Sequence, residues 1–564
     1  MSLQAERPPN TISPLARIES RLRGLLPADL YAEAWVDPEL YVAELDERLP
    51  RHNTVLKRVF EHLRTLQRIL YDYVPRQVAE ALPRPGEVRH LWQTGTLMFT
   101  DLAGFTPLME ANAARGKDGA ESLLKILTTY FSEMIEITSK SGGSLLEFTG
   151  DAMLIQFAED KRGDKRGGGD AGDVARAVRA GLRMQRAMSK FASLETEHGT
   201  FSLGMRVGIH CGRVFTADIG TPRRMEHVLL GTAVQRAKQA EGAGQRGRVN
   251  LTVEAYERVK DQYAFEEGSP GHMLVVDNLS THQLGEFDIA PSGRRLASAI
   301  LADTRVGAMI DEIERSISLA EPLACYIPAP ILNLLVENAA HRGIPPDFST
   351  PTVMFVNLIG LPESVDHAQP EEEGGIVSSF SRVFSLVNAA VEARGGVLKK
   401  LTYHLAGSDI MIFFGVPTAH TNDAMRAAEA ALAIREIITG LEPPMVGGEK
   451  VSVTCQIGLA RGPVFAAEIG ETRGRREFNI LSDTVNTAAR LMGRAVGNRI
   501  LLTEAVYQDI EEKFSIGKMG AMPLKGKSER IPIFELRGPL GKEAAPPEQS
   551  AADQAEDAED KEQA

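Results

Sequence analysis

The chain has 564 residues, with 63 Lys and Arg against 76 Asp and Glu, and its 43% hydrophobic and 25% charged shares are those of an ordinary globular protein, not a fibrous or low-complexity one. That length is too great for one core and suggests roughly two to four domains. About half of the net charge of −13 sits at one end, since Glu543 to Ala564 holds eight acidic residues and one lysine, so the body is only mildly acidic, which argues against nucleic acid as the main partner.

In chain order, residues 1–72 read as a helical extension, with charged helical text from Lys57 to Tyr71. The amino terminus lacks the apolar core of a signal peptide, and no stretch approaches the ~20 apolar residues of a spanning helix, so a cytoplasmic chain without a membrane span is expected. A first domain over 73–300 alternates short apolar runs with amphipathic stretches. Leu97 to Phe99 reads as a buried strand, Ala120 to Ser139 as a helix, Ala152 to Phe157 and Met205 to Ile209 as strands, and Thr232 to Ala240 as a second helix. Gly163 to Asp173, with five glycines, reads as a flexible loop. A linker helix is expected over 301–325, a second domain over 326–541, and a disordered acidic tail over 542–564. The three cysteines, Cys211, Cys325 and Cys455, are too scattered for a disulfide framework or a zinc site and read as buried small residues in a reducing compartment.

The two domains are copies of each other, related by a period of about 250 residues. Tyr73-Val74-Pro75 is echoed by Tyr326-Ile327-Pro328, and Thr96-Leu97-Met98-Phe99-Thr100-Asp101-Leu102-Ala103-Gly104 by Thr352-Val353-Met354-Phe355-Val356-Asn357-Leu358-Ile359-Gly360. Val207 to Phe215 matches Ile457 to Phe465, and Glu226 to Gln239 matches Glu477 to Arg490. Four matches in the same order make coincidence untenable. The alternating pattern implies an α+β or α/β sandwich in each copy.

The chemistry is divided between the copies. In the first, Asp101 ends a strand and leads into a glycine turn that can offer backbone N–H groups to phosphate, while Asp151 follows Gly150 at the start of another strand. Two carboxylates beside such a turn suit a pair of Mg²⁺ ions, which take one or two carboxylates and complete their shells with substrate phosphates. A lone Asp-x-x-Gly would be a turn and nothing more. The second copy has Asn357 in place of Asp101, with Asp409 near the place of Asp151. It carries instead Asn486 and Arg490, four apart on one helix face, where a guanidinium can meet charge developing at phosphorus. The first copy has Gln235 and Gln239 there. Each copy therefore keeps the half of a site that the other lacks, and only one of the two clefts between them has both halves.

These residues resemble class III nucleotidyl cyclases, and the tandem arrangement is similar to the soluble adenylyl cyclase type. The resemblance runs from about residue 73 to 540 and is carried by Phe99 to Thr106, Gly150-Asp151 and Val485 to Arg490. It implies two ferredoxin-like domains forming an intrachain pseudo-heterodimer, and conversion of ATP to cyclic AMP and pyrophosphate with two Mg²⁺ or Mn²⁺. In that reading Asp101 and Asp151 hold the metals, Gly104, Phe105 and Thr106 form the phosphate turn, Arg490 acts on the transition state and Asn486 orients the ribose. Arg206 and Lys525 match pyrophosphate-binding positions. Lys400, after Gly395-Gly396, matches the base-reading lysine. Asn479, seven residues before Asn486, stands where the family has aspartate or threonine, so GTP stays open beside ATP. In soluble adenylyl cyclases the degenerate cleft holds bicarbonate. Here Gln235, Lys238, Glu147 and the region of Asn357 are expected to make it, with Lys238 suited to a small-anion regulator and Glu147 opposed to one. A monomer should suffice, and an inactive nucleotide-binding pseudo-cyclase is the rival reading. His210 and Cys211 read as packing.

Overall fold

The computed structural model describes residues 14–35, 50–113, 115–159, 172–196, 199–284, 305–403, 407–471, 474–523 and 530–540. The glycine-rich segment up to residue 171 and the acidic tail lie outside them.

Helix α1 (Pro50–Tyr73) runs into the first copy. There β1 (Arg89–Ala103) is followed by α2 (Phe105–Ala113), α3 (Lys117–Lys140), β2 (Ser144–Thr149), β3 (Ala152–Ala158), α4 (Asp173–Ala187), β4 (Gly204–Thr221), β5 (Arg224–Leu230) and α5 (Thr232–Ala243). The centre of the sheet has the order β2-β3-β1-β4 with antiparallel neighbours, which is the ferredoxin-like βαββαβ arrangement. Three short strands between Val249 and Val276 extend it beyond β4. The sheet is covered on both sides at β1, where Leu97, Met98 and Phe99 are all buried. Their unbroken apolar run follows from that double cover.

Helix α6 (Val306–Ala324) leads into the second copy. Its elements are β6 (Asp347–Ser349), β7 (Thr352–Ile359), α7 (Pro370–Glu392), β8 (Val397–Tyr403), β9 (Ser408–Phe414), α8 (Asp423–Thr439), β10 (Thr454–Arg461), β11 (Val464–Gly470), β12 (Arg476–Leu481) and α9 (Asp483–Met492). The order β8-β9-β7-β10 repeats the first sheet, while β6, β11 and β12 form a separate three-stranded sheet.

Each copy extends an arm into the other. The far half of β4 pairs with β5 from Phe215–Leu230 to Thr221–Arg224. Phe215 and Ile219 of β4 and Leu230 of β5 are buried in one cluster with Phe380 and Phe384 of α7. Reciprocally, Phe465 and Ile469 of β11 and Leu481 of β12 are buried with Leu127 and Phe131 of α3. Burial of each such side chain contributes about 1.5–3 kcal/mol, so neither copy completes its core alone. The Tyr-x-Pro repeats reinforce this exchange. Tyr73 donates to Glu468 Oε2 on the second arm at 2.5 Å, and Tyr326 to Asp218 Oδ1 on the first at 3.0 Å.

Among the described residues, α7 is long and apolar enough by composition to cross a membrane, which the sequence reading did not register. Its Phe380, Val383, Phe384 and Val387 are buried in the core, and its first turn begins with a capping box between Gln369 and Glu372. Packing of that apolar face against the first copy's arm accounts for the composition.

Candidate active site

Asp101 sits near the end of β1, and the register pairs it with Arg206 of β4. The turn beyond it passes through Gly104 at φ +90, where a Cβ would lie 2.4 Å from the Ser202 carbonyl oxygen. Only glycine fits there, and it aims the start of α2, with Phe105 buried and Thr106 half-buried, past the carboxylate. Asp151 follows Gly150, whose φ is +71, in the turn between β2 and β3. Burial and the neighbouring Asp101 charge push its carboxyl up to about 7. The buried Tyr130 hydroxyl lies in the field of both acids and has no hydrogen-bond partner among the described residues. Two hard-oxygen carboxylates that repel each other beside an open backbone turn fit divalent cations whose remaining ligands come from phosphate. The same cluster contains Glu241 of α5, 3.0 Å from Arg206, and Lys238, which donates to Glu241 at 2.9 Å.

The second copy reaches this cluster through β12. Asn479 Nδ2 donates to the Gly150 carbonyl at 3.2 Å, and a Cβ placed on Gly150 would lie 3.9 Å from a Leu481 methyl. The chain then enters α9, capped by Ser482, whose hydroxyl accepts from Val485 N at 3.1 Å. Asn486 on this helix is exposed and Arg490 half-buried, its Nη1 3.9 Å from Asp483 and without a hydrogen bond among the described residues.

The two lysines after Gly395-Gly396 both point inward, because β8 bulges between Leu398 and Lys400. Lys399 donates to Asn479 Oδ1 at 2.5 Å and lies 3.2 Å from Glu477. Lys400 lies 3.4 Å from Glu477. Lys399 was not singled out from sequence; only an unseen bulge separates it from Lys400. Burial and the adjacent Lys400 charge lower Lys399 to about 7, while Lys400, Lys399 and Arg475 hold Glu477 down at about 2 against the upward pull of burial. Together with Glu147, Tyr73 and Tyr326 these side chains line a cavity of about 70 Å³ on the axis between the copies. Lys525 lies outside the described residues.

The other cleft keeps the glycine turn, at Gly360, but differs at the positions of Asp101, Asp151 and Arg206. Asn357 pairs with Gln456, its Nδ2 donating to Oε1 at 3.1 Å, where the first copy has Asp101 and Arg206. The register sets Asp409 opposite Asn357 and Ser408 opposite Leu358, and continued in the first copy it would set Ala152 opposite Asp101 and Asp151 opposite Leu102, so Asp409 corresponds to Ala152 and not to Asp151. The Gly360 turn is filled from within, its N–H donating to Glu363 at 2.9 Å, and Asp366 caps α5 by accepting from Thr232 N at 2.6 Å. Lys238, expected in this cleft, faces Glu241 and the field of Asp151 instead, because α5 lies over the face of β1 that ends in Asp101. Glu147 lies on the side of Lys400 and Glu477. His210 is buried with Nδ1 2.9 Å from Thr252 Oγ1, and the three cysteines are buried and unpaired.

Two ferredoxin-like domains exchanging arms, with acids on one and a helix-borne amide and guanidinium on the other, define the paired-domain architecture of the nucleotide cyclases. The family model described as the adenylate and guanylate cyclase catalytic domain matches twice, over residues 90–285 and 346–537, and the chain belongs to that family. It is 24% identical over 466 residues to mouse adenylate cyclase type 10, and the match takes in 79% of this chain and 26% of the mouse protein. The chain thus spans about a quarter of that relative's length. An adenylate cyclase of Mycobacterium bovis is 28% identical over 228 residues, 40% of this chain and 48% of its own length. A solved class III adenylyl cyclase-like ATP-binding protein from Pseudomonas aeruginosa shares the fold at a TM-score of 0.50 and 14% identity, covering 80% of this chain and 93% of that one.

Proposed function

We propose that the chain is a nucleotidyl cyclase that converts ATP to 3′,5′-cyclic AMP and pyrophosphate at one composite site, drawn from both copies. The observation that carries this is the reciprocal loss: Asp101, Asp151, Arg206, Lys238 and Glu241 give way to Asn357, Ser408, Gln456, Ala489 and Met492 in the second copy, while Asn486 and Arg490 give way to Gln235 and Gln239 in the first. Random decay toward an inactive binding module would not spare one complete set.

Two Mg²⁺ or Mn²⁺ held by Asp101 and Asp151 would lower the pKa of the ribose 3′-hydroxyl and neutralise the triphosphate. The turn of Gly104, Phe105 and Thr106 offers backbone N–H groups to phosphate oxygens. Asn486 orients the ribose so that its 3′-oxygen approaches the α-phosphorus in line with the departing pyrophosphate. Arg490 meets the charge that grows on the α-phosphoryl oxygens as the new bond forms. Arg206, with Lys525, receives the pyrophosphate as the old P–O bond breaks. Lys400 with Asn479, joined by Lys399, reads the base.

The relatives' name, adenylate cyclase, favours ATP. One observation favours GTP: Asn479 Oδ1 already accepts from Lys399 at 2.5 Å and from Ile480 N at 3.0 Å, which leaves an N–H donor for the base. A donor meets guanine O6 more readily than the adenine amino group. The proposal extends to a cytoplasmic enzyme active as a monomer. A small-anion regulator in the degenerate cleft loses support from Lys238, which is engaged elsewhere. Incubation of the purified chain with ATP or GTP and Mg²⁺ or Mn²⁺, with product identified by mass and size measured alongside, tests it. No cyclic product from either nucleotide with either metal would leave the pseudo-cyclase reading in its place.

A further inference from the structure

Arg206 does not wait free for a leaving group. Its Nη2 bonds Asp101 Oδ2, and the same nitrogen lies 3.0 Å from Glu241 Oε1. Lys238 Nζ holds the other oxygen, Glu241 Oε2, at 2.9 Å. Glu241 is 1% exposed, so its charge depends on these two cations for compensation. The Asp101 oxygen that Arg206 covers is one that a divalent cation needs. A guanidinium displaced from it cannot retreat cheaply into an apolar interior; it needs another anion within reach of a small side-chain rotation.

We infer that Glu241 is a positioning residue for metal binding: it is the second berth to which Arg206 moves when a divalent cation takes Asp101, and it holds Lys238 away from Asp151. This rests on the two-metal reading above. The second copy supplies independent support. At the positions of Asp101, Arg206, Lys238 and Glu241 it has Asn357, Gln456, Ala489 and Met492. Met492 is fully buried, so packing of this helix onto its sheet does not call for a carboxylate there. The carboxylate is present where the acids are and absent where they are not.

The test is Mn²⁺ binding by the full chain without nucleotide, followed by the electron paramagnetic resonance signal of free Mn²⁺. Glu241→Gln leaves Arg206 and Lys238 no anionic partner but Asp101 and Asp151, and should weaken binding about tenfold or more. Arg206→Gln removes the competing cation and should tighten binding, and the double variant should return toward the parent affinity. A residue that serves only the pyrophosphate would leave all three unchanged. Parent affinity in Glu241→Gln, with Asp101→Asn impaired, overturns the inference and leaves the two-metal reading standing. Parent affinity in Asp101→Asn removes both. Should Glu241→Gln not fold, Arg206→Gln decides alone, and binding that is unchanged or weaker overturns the inference.

Discussion

Asn479 donates its side-chain amide to the carbonyl oxygen of Gly150 at 3.2 Å, joining the strand that leads into α9 to the turn that carries Asp151. The two halves of the site thus meet through a side-chain-to-backbone contact that needs no substrate. Loss of a half should then cost turnover without undoing the junction. Asp101→Ala and Arg490→Ala should each lower kcat by at least about 10²-fold with the thermal midpoint little changed. Asn357→Ala should do the opposite. Asn357 is buried and bonded to Gln456, so its loss should cost about 1–3 kcal/mol of stability while most turnover survives. Steady-state kinetics beside urea unfolding of the three variants separates these outcomes, and activity that persisted in both Asp101→Ala and Arg490→Ala would refute a composite site.

The buried charge cluster on the axis should be as sensitive to a missing anion as any place in the chain. Glu477 lies within 3.4 Å of Lys400, 3.2 Å of Lys399 and 2.9 Å of Arg475. Glu477→Gln leaves three recessed cations without their shared carboxylate, and a broken buried pair costs about 3–5 kcal/mol. A loss below about 1 kcal/mol in urea unfolding would mean that solvent already screens the cluster.

Lys399 gives the site a pH dependence whose sign can be worked out. Its folded pKa is lowered to about 7 from 10.5, so below about pH 7 both folded and unfolded chains carry the proton and the fold bears the cost of a buried charge. Between about 7 and 10.5 the unfolded chain is protonated and the folded one is not, so this group's contribution rises with pH across that window. Function should move the other way. A neutral Lys399 no longer pairs with Glu477, and its hold on Asn479 weakens, so KM for nucleotide should climb above about pH 7 while kcat changes little. Lys399→Arg keeps the charge at all working pH values and should carry that alkaline limb upward by more than a unit. A limb that stayed in place would assign it to another group.

Much of this was legible in the sequence. The repeat exposes the pseudo-symmetric pair of domains, and the apolar runs around Leu97 and Ile209 locate central strands because burial on both faces leaves no room for polar residues. What escaped depends on partners distant in sequence. The bulge between Leu398 and Lys400 is set by pairing with β9, and it brings Lys399 onto Asn479. The direction of Lys238 depends on how α5 lies across β1. Glu363 folds back onto the Gly360 N–H, a hydrogen bond that spacing alone does not distinguish from an exposed turn. Pro107 stands at the matching place after Gly104 and can offer no carboxylate, so the asymmetry between the two turns is visible in sequence only once its geometry is known.

Base choice turns on the direction of one amide. Asn479 is fully buried, and its orientation is set by its surroundings, since the Ile480 N–H can only donate and the Gly150 carbonyl can only accept. Asn479→Asp replaces the amide N–H groups with a second acceptor oxygen, which strengthens the pair with Lys399 and gives up the bond to the Gly150 carbonyl. An acceptor at that point favours the adenine amino group and repels guanine O6, and a site built around a polar group rejects a base that leaves it unpaired by large factors. The ratio of kcat/KM for ATP to that for GTP should therefore rise by at least about tenfold in Asn479→Asp, with the change mostly in KM. Asn479→Leu should lose the preference in either direction and loosen the contact with Gly150, which would show as lower stability. An unchanged ratio in Asn479→Asp would mean that the base is read from the lysines alone, and the test would then pass to Lys399→Met and Lys400→Met measured with both nucleotides.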